Sequence, residues 1–276
     1  MYSTVKTEIV DHVMIITLNR PERRNAFNER MCQELLHIFD KADENDDVRA
    51  IIMTGVGETY CSGMDLEKGV ETFMDHTPLV EYRDAGGVLS LRIFDMKKPI
   101  IAAINGSAIG IGITMTLPMD IRIASTEAEM SFDFAKRGIT MEACSGWFLP
   151  RLVGMGKATE WVFTGGMVTA QEAYEARLVN KIVEPDQLME TAMKIATDIA
   201  VNASSISVTL SRQLMWTMLG ANHPVESHKI ESKMIHWTGK QADAKEGIGA
   251  FLENRQAEFT MKSSTDMPPF YPWGGE

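Results

Sequence analysis

Cysteine is scarce in this sequence. Its three cysteines, Cys32, Cys61 and Cys144, are odd in number and widely spaced. Such a set excludes a closed disulfide framework and a clustered cysteine metal site, which indicates a reducing compartment. The opening residues 1–6 also lack the apolar stretch of a secretory signal, so we expect a cytoplasmic protein.

Basic residues are the second shortage. The chain has 27 Lys and Arg against 38 Asp and Glu, which gives a formal net charge of −11. A negative molecule repels nucleic-acid phosphates and anionic lipid headgroups. We therefore expect neither nucleic acid nor a membrane surface as a partner, because the counts of charged residues give no indication of a basic patch.

An uninterrupted apolar run of membrane-spanning length is also missing. The one long candidate, residues 99–121, contains Asn105, Ser107 and Asp120 together with several glycines. A buried strand, a glycine loop and a short helix fit this stretch better than a span. With 276 residues of which 45% are hydrophobic, the composition favours one large globular α/β unit.

Strand and helix patterns alternate in the first half of the chain. Strands are predicted at Val5–Val10, Val13–Leu18, Ala50–Thr54, Pro99–Ile104 and Ile121–Ala124, with helices at Asn25–Asn45 and Thr77–Phe94 between them. The first two strands are short and close together, which predicts a hairpin. The alternation predicts βαβ units and a largely parallel sheet, in which functional groups collect after the carboxyl ends of strands.

The chain becomes helical from about Thr169. Helices are predicted at Ala170–Ala176, Gln187–Val201, Ser205–Leu219, His223–Thr238 and Asp243–Glu253. We therefore divide the chain into an α/β core, residues 1–201, and a helical region, residues 202–276, which ends in a proline-rich extended arm at Pro268–Trp273. The helical region either folds back over the core or exchanges with a neighbouring subunit.

Two glycine-containing loops follow predicted strands. The loop Cys61–Leu66 is predicted to open a helix that Asp65 caps. The loop Asn105–Gly112 leads into a second predicted helix. The first-turn N–H groups of a helix have no internal partner, so two such loops that face one point would bind a carbonyl oxygen that becomes negative. Either loop alone is also compatible with an ordinary tight turn.

Several motifs in order resemble one family. They are Asn19-Arg20-Pro21 with Asn25-Ala26-Phe27, the Cys61–Leu66 loop, Lys98–Gly106 and Phe259–Lys262. From about residue 5 to 262 the chain resembles the crotonase superfamily, the enoyl-CoA hydratases and isomerases. The resemblance implies a ββα spiral core with a C-terminal helical oligomerisation region, a homotrimer or dimer of trimers, and an acyl-CoA thioester as substrate. It places the two oxyanion donors on the backbone N–H groups of Met64 and Ile111.

The catalytic carboxylates differ from the hydratase pattern. Where hydratases carry two glutamates that hold water, this chain has Thr114 and Phe134. A different carboxylate, Glu142, lies in a stretch, residues 138–147, that resembles the peroxisomal type of Δ3,Δ2-enoyl-CoA isomerase. That resemblance implies that Glu142 is the single acid–base residue. Its apolar neighbours Met141 and Trp147 are expected to raise its pKa towards neutrality.

Other functions stay open on the sequence. Asp133, between two phenylalanines, is either a second acid or an ion-pair partner of Lys136 or Arg137. A hydratase that uses Glu142, with or without Asp133, is the first alternative to an isomerase. A hydrolase or dehalogenase, in which Glu142 attacks covalently, is another. A catalytically inactive CoA-binding module belongs to a different class.

Coenzyme A requires cations for its phosphates. Arg23 and Arg24 are the candidate phosphate contacts, although a solvated pair of charges is the alternative. By resemblance, Ala26 and Met64 lie on loops around the pantetheine, while Phe259 and Lys262 contact the nucleotide, from a neighbouring subunit in some arrangements. The sequence has no dinucleotide fingerprint, P-loop or metal motif, so we expect no metal, and no cofactor beyond the CoA moiety of the substrate.

Overall fold

Ten strands form two sheets in the computed structural model, which describes residues 2–272. The strands are β1 (Val5–Val10), β2 (Val13–Leu18), β3 (Ala50–Gly55), β4 (Thr59–Cys61), β5 (Ile100–Ile104), β6 (Ser107–Ile109), β7 (Ile121–Ser125), β8 (Glu129–Ser131), β9 (Met167–Thr169) and β10 (Lys181–Val183). The larger sheet has the order β1-β2-β3-β5-β7-β10, and the smaller sheet has the order β4-β6-β8-β9.

Most strand pairs are parallel, as the alternating pattern predicts. In the large sheet only β1 and β2 are antiparallel, and their hairpin turns at Asp11 and His12, whose φ angles are 48° and 65°. Two consecutive residues with positive φ are the geometry of the tight turns that match the twist of a hairpin. In the small sheet β4, β6 and β8 are parallel and β9 is antiparallel.

Helices follow the strands in a repeating order. They are α1 (Glu29–Glu44), α2 (Ala85–Phe94), α3 (Ile111–Thr114), α4 (Ser145–Val153), α5 (Met155–Thr164), α6 (Ala170–Glu175), α7 (Leu188–Asn202), α8 (Ser205–Met218), α9 (Pro224–Thr238) and α10 (Ala242–Glu253). The sets β3-β4-α2, β5-β6-α3 and β7-β8-α4 each place one strand in the large sheet, the next in the small sheet, and then a helix. This repetition is the predicted ββα core, and four helices follow it from α7 onward.

The large sheet is buried on both faces. Helix α7 covers one face with a row of small and apolar residues spaced four apart, which are Leu188, Ala192, Ala196 and Ala200. They pack on alternate residues of the central strands, among them Ala50, Ile52, Ile101 and Ala103. The other face packs on α1 and α2 through Ile51, Met53, Ile100 and Ala102. Burial on both faces explains why these strands are continuous apolar runs in the sequence.

Two predicted helices start later than the sequence indicates. Helix α1 begins at Glu29, and its cap is Asn28, whose side chain accepts a hydrogen bond from the Met31 amide. Asn25, the predicted cap, is buried in the preceding turn, where its amide donates to two backbone carbonyls. The helix predicted at Thr77–Phe94 begins only at Ala85, because Asp84 caps it.

The C-terminal region folds back over its own core. Arg212 of α8 forms an ion pair with Asp120 at 2.9 Å, and Trp216 donates to the same carboxylate at 2.8 Å. Arg212 also donates to the backbone carbonyls at the end of α2, including that of Met96 at 2.5 Å. These contacts show that α8 packs on the core of its own chain and does not exchange with a neighbouring subunit. The division between residues 201 and 202 stays a prediction, although α7 ends there.

The proline-rich end contains a turn. The amide of Tyr271 donates to the carbonyl of Pro268 at 3.0 Å. Residues 268–271 therefore form a turn, and the prediction of a fully extended arm is wrong for them. Trp273, the last residue of the predicted arm, lies outside the described residues.

Candidate active site

The two glycine-containing loops lie side by side. The first begins at the end of β4 and the second contains β6, and these are neighbouring parallel strands with Cys61 opposite Ala108. The contact is close: a Cβ on Gly63 would lie 3.1 Å from the Ile109 carbonyl oxygen, and a Cβ on Gly112 would lie 2.3 Å from the Cys61 carbonyl oxygen. The glycines at these positions therefore allow the backbones to meet.

Met64 lies in a one-residue bridge to Phe27, and the predicted helix does not open directly after it: the next helical stretch is a 3-10 helix at Gly69–Phe73. The Phe27 amide donates to the Gly63 carbonyl and the Asp65 amide donates to the Phe27 carbonyl, both at 2.8 Å. In a parallel bridge these bonds flank Met64, so its own N–H points away from Phe27. The prediction failed because the loop pairs with a segment that lies far away in the sequence.

Arg20 holds this first loop in place. Its guanidinium donates to the Ala26 carbonyl at 2.5 Å and to Asp65 at 2.8 Å. Burial raises the pKa of Asp65, but the hydrogen bonds from Arg20 and the Glu67 amide, together with the positive charges of Arg20 and Arg23, outweigh burial, and the net pKa lies below its ordinary value. Asp65 thus stays a carboxylate, and it secures the bridge that carries Met64 instead of capping a helix.

The second donor, Ile111, is the first residue of α3. Gly110 precedes it with φ 53° and ψ −121°, a conformation that glycine adopts without strain. The Gly110 carbonyl accepts from the amides of Ile113 and Thr114, which closes the first turn. Within residues 2–272, the N–H groups of Met64 and Ile111 donate to no other protein atom. Both are free donors at adjacent strand ends, which is the arrangement that an oxyanion hole requires.

Glu142 approaches the second loop from the other side. The Thr114 hydroxyl donates to Glu142 Oε1 at 2.5 Å, and Thr114 is the last residue of the helix that Ile111 begins. The other oxygen, Oε2, lies 1.9 Å from the position that a Cβ on Gly86 would occupy, and Ile111 Cδ1 lies 2.7 Å from the same point. The Glu142 carboxyl therefore lies between α2 and the Ile111 loop, in space that the missing side chain of Gly86 leaves.

The surroundings of Glu142 favour its neutral form. Burial raises its pKa to about 7; the Thr114 hydrogen bond opposes this shift and the negative charge of Asp84 adds to it. A carboxyl group with this pKa exists in both protonation states near neutral pH. It can therefore take up a proton and give it back, which suits a general acid–base residue.

The turn after Glu142 has unusual backbone geometry. Ala143 and Cys144 both adopt positive φ, 57° and 56°. The amide and hydroxyl of Ser145 donate to the Glu142 carbonyl at 2.9 and 2.5 Å, and Asp84 accepts from the Ala143 amide at 3.1 Å. Left-handed conformations cost non-glycine residues free energy and persist where the surroundings fix them. Here those contacts fix the position of Glu142.

Within residues 2–272, no second carboxyl group is hydrogen-bonded to the Glu142 side chain, whose partner is Thr114. Asp133, the sequence candidate for a second acid, forms an ion pair with Arg137 at 2.6 Å. Phe134 packs its ring 3.8 Å from the Cβ position of Gly110, so an apolar group borders the second loop. The two positions where hydratases carry glutamates are thus occupied by Thr114, which is hydrogen-bonded to Glu142, and by Phe134.

Three of the predicted CoA contacts lie beside the first loop. The Ser62 amide donates to the Arg24 carbonyl at 3.1 Å, and Ala26 is bound by Arg20. Arg24 is exposed, whereas Arg23 forms an ion pair with Glu67. Arg24 is therefore the more available cation of the two.

Phe259 and Lys262 lie at the opposite end of the strands. The Phe259 carbonyl accepts from Arg49 at 3.1 Å, and Arg49 immediately precedes β3 at its amino end. The loops with Met64 and Ile111 follow the carboxyl ends of strands. Within one chain, Phe259 therefore lies across the length of the strands from the two donor loops.

Arg20, Asp84 and Gly86 belong to the site, although the sequence did not indicate their roles. Asp84 followed by a helical pattern is a cap signal, but the exposed apolar residues before it, such as Leu79 and Val80, extended the predicted helix too far. Arg20 stands in a recognised motif, yet only the fold shows that it binds Asp65.

Residues 2–272 contain neither a metal-binding cluster of side chains nor a membrane-spanning helix. No group of three or more His, Cys, Asp or Glu side chains is arranged to hold a metal ion. No helix in this part of the chain combines the length and apolar character needed to cross a bilayer.

Comparisons with known proteins give a consistent result. Residues 8–262 match the family model described as enoyl-CoA hydratase/isomerase. The chain is 40% identical over 250 residues to enoyl-CoA hydratase ACTT3 of Alternaria alternata. The aligned region covers 90% of this chain and 83% of that protein. The chain is 29% identical over 274 residues to 1,2-epoxyphenylacetyl-CoA isomerase of Escherichia coli, covering 95% of this chain and 100% of the relative.

The solved structures agree. The crystal structure of a probable enoyl-CoA hydratase/isomerase from Mycobacterium abscessus superposes with a TM-score of 0.88 at 30% identity, over 94% of this chain and 99% of that one.

Proposed function

This chain belongs to the enoyl-CoA hydratase/isomerase family, the crotonase superfamily, and we propose that it catalyses the Δ3-to-Δ2 isomerisation of enoyl-CoA thioesters. Membership makes it an enzyme of acyl-CoA thioesters. The choice of reaction rests on one observation: a single glutamate with a pKa near neutrality, Glu142, lies beside the two free donors.

The reaction needs one proton carrier. Glu142 removes a proton from C2 of the 3-enoyl thioester, and the electron pair moves through the α-carbon to the thioester oxygen. The resulting dienolate is stabilised by the Met64 and Ile111 N–H groups, where negative charge accumulates. Protonated Glu142 then delivers the proton to C4 while the double bond shifts to C2–C3 and the carbonyl re-forms. Atoms and charge balance without water.

The two oxygens of Glu142 have different roles in this proposal. Oε1 accepts the Thr114 hydrogen bond, so Oε2, which faces Gly86 and Ile111, is the oxygen that carries the proton. A hydratase needs one group to activate water and another to protonate the α-carbon. Thr114 and Phe134 supply neither, which supports isomerisation and likeness to the peroxisomal type of isomerase.

Binding of coenzyme A is assigned to residues of two subunits. Arg23, Arg24, Ala26 and Met64 would contact the phosphates and pantetheine, and Phe259 and Lys262 of a neighbouring copy would contact the nucleotide end. The separation of Phe259 from the oxyanion loops within one chain supports a shared site, and hence an oligomer. The likeness to the family favours a homotrimer or dimer of trimers. No cofactor beyond the CoA moiety is proposed.

Product identification tests the proposal. The pure enzyme is incubated with 3-enoyl-CoA and, separately, with 2-enoyl-CoA of several chain lengths, and the products are separated and identified. We expect interconversion of the two enoyl-CoA isomers, and a loss of about a thousandfold or more in kcat for Glu142→Gln with acyl-CoA binding retained. Unchanged turnover by E142Q would remove Glu142 from the mechanism.

Hydration is the second candidate function. It is favoured by the similarity to the Alternaria alternata relative, which is named an enoyl-CoA hydratase. Here Glu142 alone would first activate water and then supply the α-proton. Predominant 3-hydroxyacyl-CoA from 2-enoyl-CoA would overturn isomerisation in favour of hydration.

A further inference from the structure

We propose that Asp84 is the positioning residue for Glu142: one of its carboxylate oxygens joins the first turn of α2 to the turn that carries the acid–base group. This inference rests on the proposed function, because it concerns how Glu142 is presented. Asp84 lies 58 residues before Glu142 in the sequence and belongs to a different element.

Asp84 Oδ2 accepts two backbone N–H groups. The Gly87 amide donates at 2.5 Å, which caps α2, and the Ala143 amide donates at 3.1 Å. Gly87 has no side chain, and a Cβ there would lie 2.7 Å from Asp84 Oδ1, so the carboxylate folds closely over the helix start. A cap alone needs only the first bond. The second bond reaches across to the residue next to Glu142.

The second bond acts where the backbone needs support. Ala143 is the first of the two residues with positive φ, and its amide belongs to the peptide group that follows Glu142. Gly86, two residues after Asp84, provides the space for Glu142 Oε2. The Asp84–Gly87 segment therefore fixes both the backbone of Glu142 and the space for its carboxyl group.

The charge of Asp84 is a second effect of the same contact. A neighbouring negative charge favours the neutral form of a carboxyl group, and Asp84 contributes to the raised pKa of Glu142, after the larger effect of burial. The other ionisable groups coupled to Glu142 are Cys61, from the end of β4, and Cys144, in its own turn. Burial raises the pKa of both thiols, so both are neutral near pH 7 and leave Asp84 as the charged neighbour.

Two substitutions separate the hydrogen bonds from the charge. Asp84→Asn keeps an oxygen that accepts both amides and removes the charge. Asp84→Ser keeps a good helix cap but has a side chain too short to reach the Ala143 amide as well. Thr169→Val is the matched control, because Thr169 caps α6 away from the site and its loss reports the effect of a missing cap alone.

The measurements are kcat and KM with 3-enoyl-CoA across pH, and a titration of the Glu142 carboxyl group by infrared spectroscopy. The Glu142 band is identified as the one that is missing from the spectrum of E142Q. For D84S we expect kcat to fall about tenfold to a hundredfold with KM nearly constant, because the base is misplaced. For D84N we expect kcat near wild type, with the acid limb of kcat/KM and the infrared titration both shifted to lower pH. T169V should leave all of these unchanged.

Wild-type kcat in D84S would overturn the positioning role, and an unchanged Glu142 titration in D84N would overturn the effect of the charge. A merely structural cap predicts both results. Failure of the proposed function is recognised separately: E142Q would then retain activity, while the infrared titration would still decide whether Asp84 acts on Glu142.

Discussion

The Thr114 hydroxyl donates to Glu142 Oε1 at 2.5 Å, which attaches the proposed acid–base residue to the helix that begins with Ile111. This bond stabilises the charged form of Glu142 and opposes the effect of burial on its pKa. Glu142, which lies in the turn before α4, is therefore held by a hydrogen bond to the same four-residue helix that begins with Ile111.

Replacing Thr114 by Val should raise the pKa of Glu142 further above about 7. The sign follows from the lost hydrogen bond, which lowers the pKa in the native protein. Because the base must be ionised in the free enzyme, the acid limb of kcat/KM should move to higher pH, opposite to the shift expected for D84N. Thr114→Ser retains the hydroxyl and should retain the wild-type profile. Superimposable profiles of T114V and wild type would contradict this role.

Replacing Gly86 by Ala should displace the Glu142 carboxyl group. A Cβ at this position would lie 1.9 Å from Oε2 and 2.7 Å from Ile111 Cδ1, so the carboxyl must move. We expect kcat to fall about a hundredfold, because displacements of about 1 Å have effects of that size. Alanine is a better helix former than glycine, so α2 itself should persist.

Gly249→Ala provides the control for this experiment. Gly249 also lies within a helix, α10, and a Cβ there would meet nothing within 4 Å. It should leave kcat unchanged. Equal kcat values for G86A and G249A would show that Glu142 does not need the space beside Gly86.

Five of the six strands of the large sheet and the C-terminal helices could be predicted from the sequence because their signals are local, whereas β10, with three residues, was not predicted. Strands such as β2 are apolar runs of six residues, and α7, α8, α9 and α10 begin and end within one residue of the predicted bounds. The small sheet was not predicted, because strands of three residues show no periodicity. Yet that sheet places the two donor loops side by side.

The site was predicted in part for the same reason. Met64, Ile111 and Glu142 were found through motifs, which are continuous stretches of sequence. The Asp84 contact joins residues 59 positions apart and the Arg20 contact joins residues 45 apart, so no local pattern records either of them. Asp133 was an ambiguous candidate, and its ion pair with Arg137 is the alternative that the i, i+4 spacing allowed.

Mixed oligomers should reveal whether the CoA site is shared between subunits. Lys262→Glu should impair the nucleotide end of a neighbouring site, and E142Q should inactivate its own site. If Glu142 of one chain works with Lys262 of another, mixing the two variants restores sites that have both residues intact. We expect the co-expressed mixture to be clearly more active than either variant alone. Activity equal to the mean of the separate variants would place both residues in one subunit's site.

Glu34 should stabilise the fold in a pH-dependent way. Its buried carboxylate accepts from the amide of Ser3 at 2.9 Å, from the amide of Thr4 at 2.8 Å and from Arg30 at 2.7 Å. Burial raises its pKa, but these hydrogen bonds together with that of the Thr4 hydroxyl outweigh burial and lower the pKa to about 2. Since the folded-state pKa lies below the ordinary value, the stabilisation is complete above the ordinary value and is lost as pH falls towards the folded-state value.

Glu34→Gln should therefore reduce the free energy of unfolding by about 2 kcal/mol at pH 7, measured by urea denaturation. Each unit of pKa shift corresponds to about 1.4 kcal/mol, and the expected loss is smaller than the full shift implies because glutamine retains some of the contacts. The difference from wild type should shrink steadily below pH 4.5, the ordinary pKa of the group, and largely vanish as pH approaches 2. Glu44→Gln, which removes an exposed i, i+3 ion pair with Lys41, is the matched control and should cost little at any pH. A pH-independent loss in E34Q would mean that the N-terminal strand is held by packing around Glu34 and not by its charge.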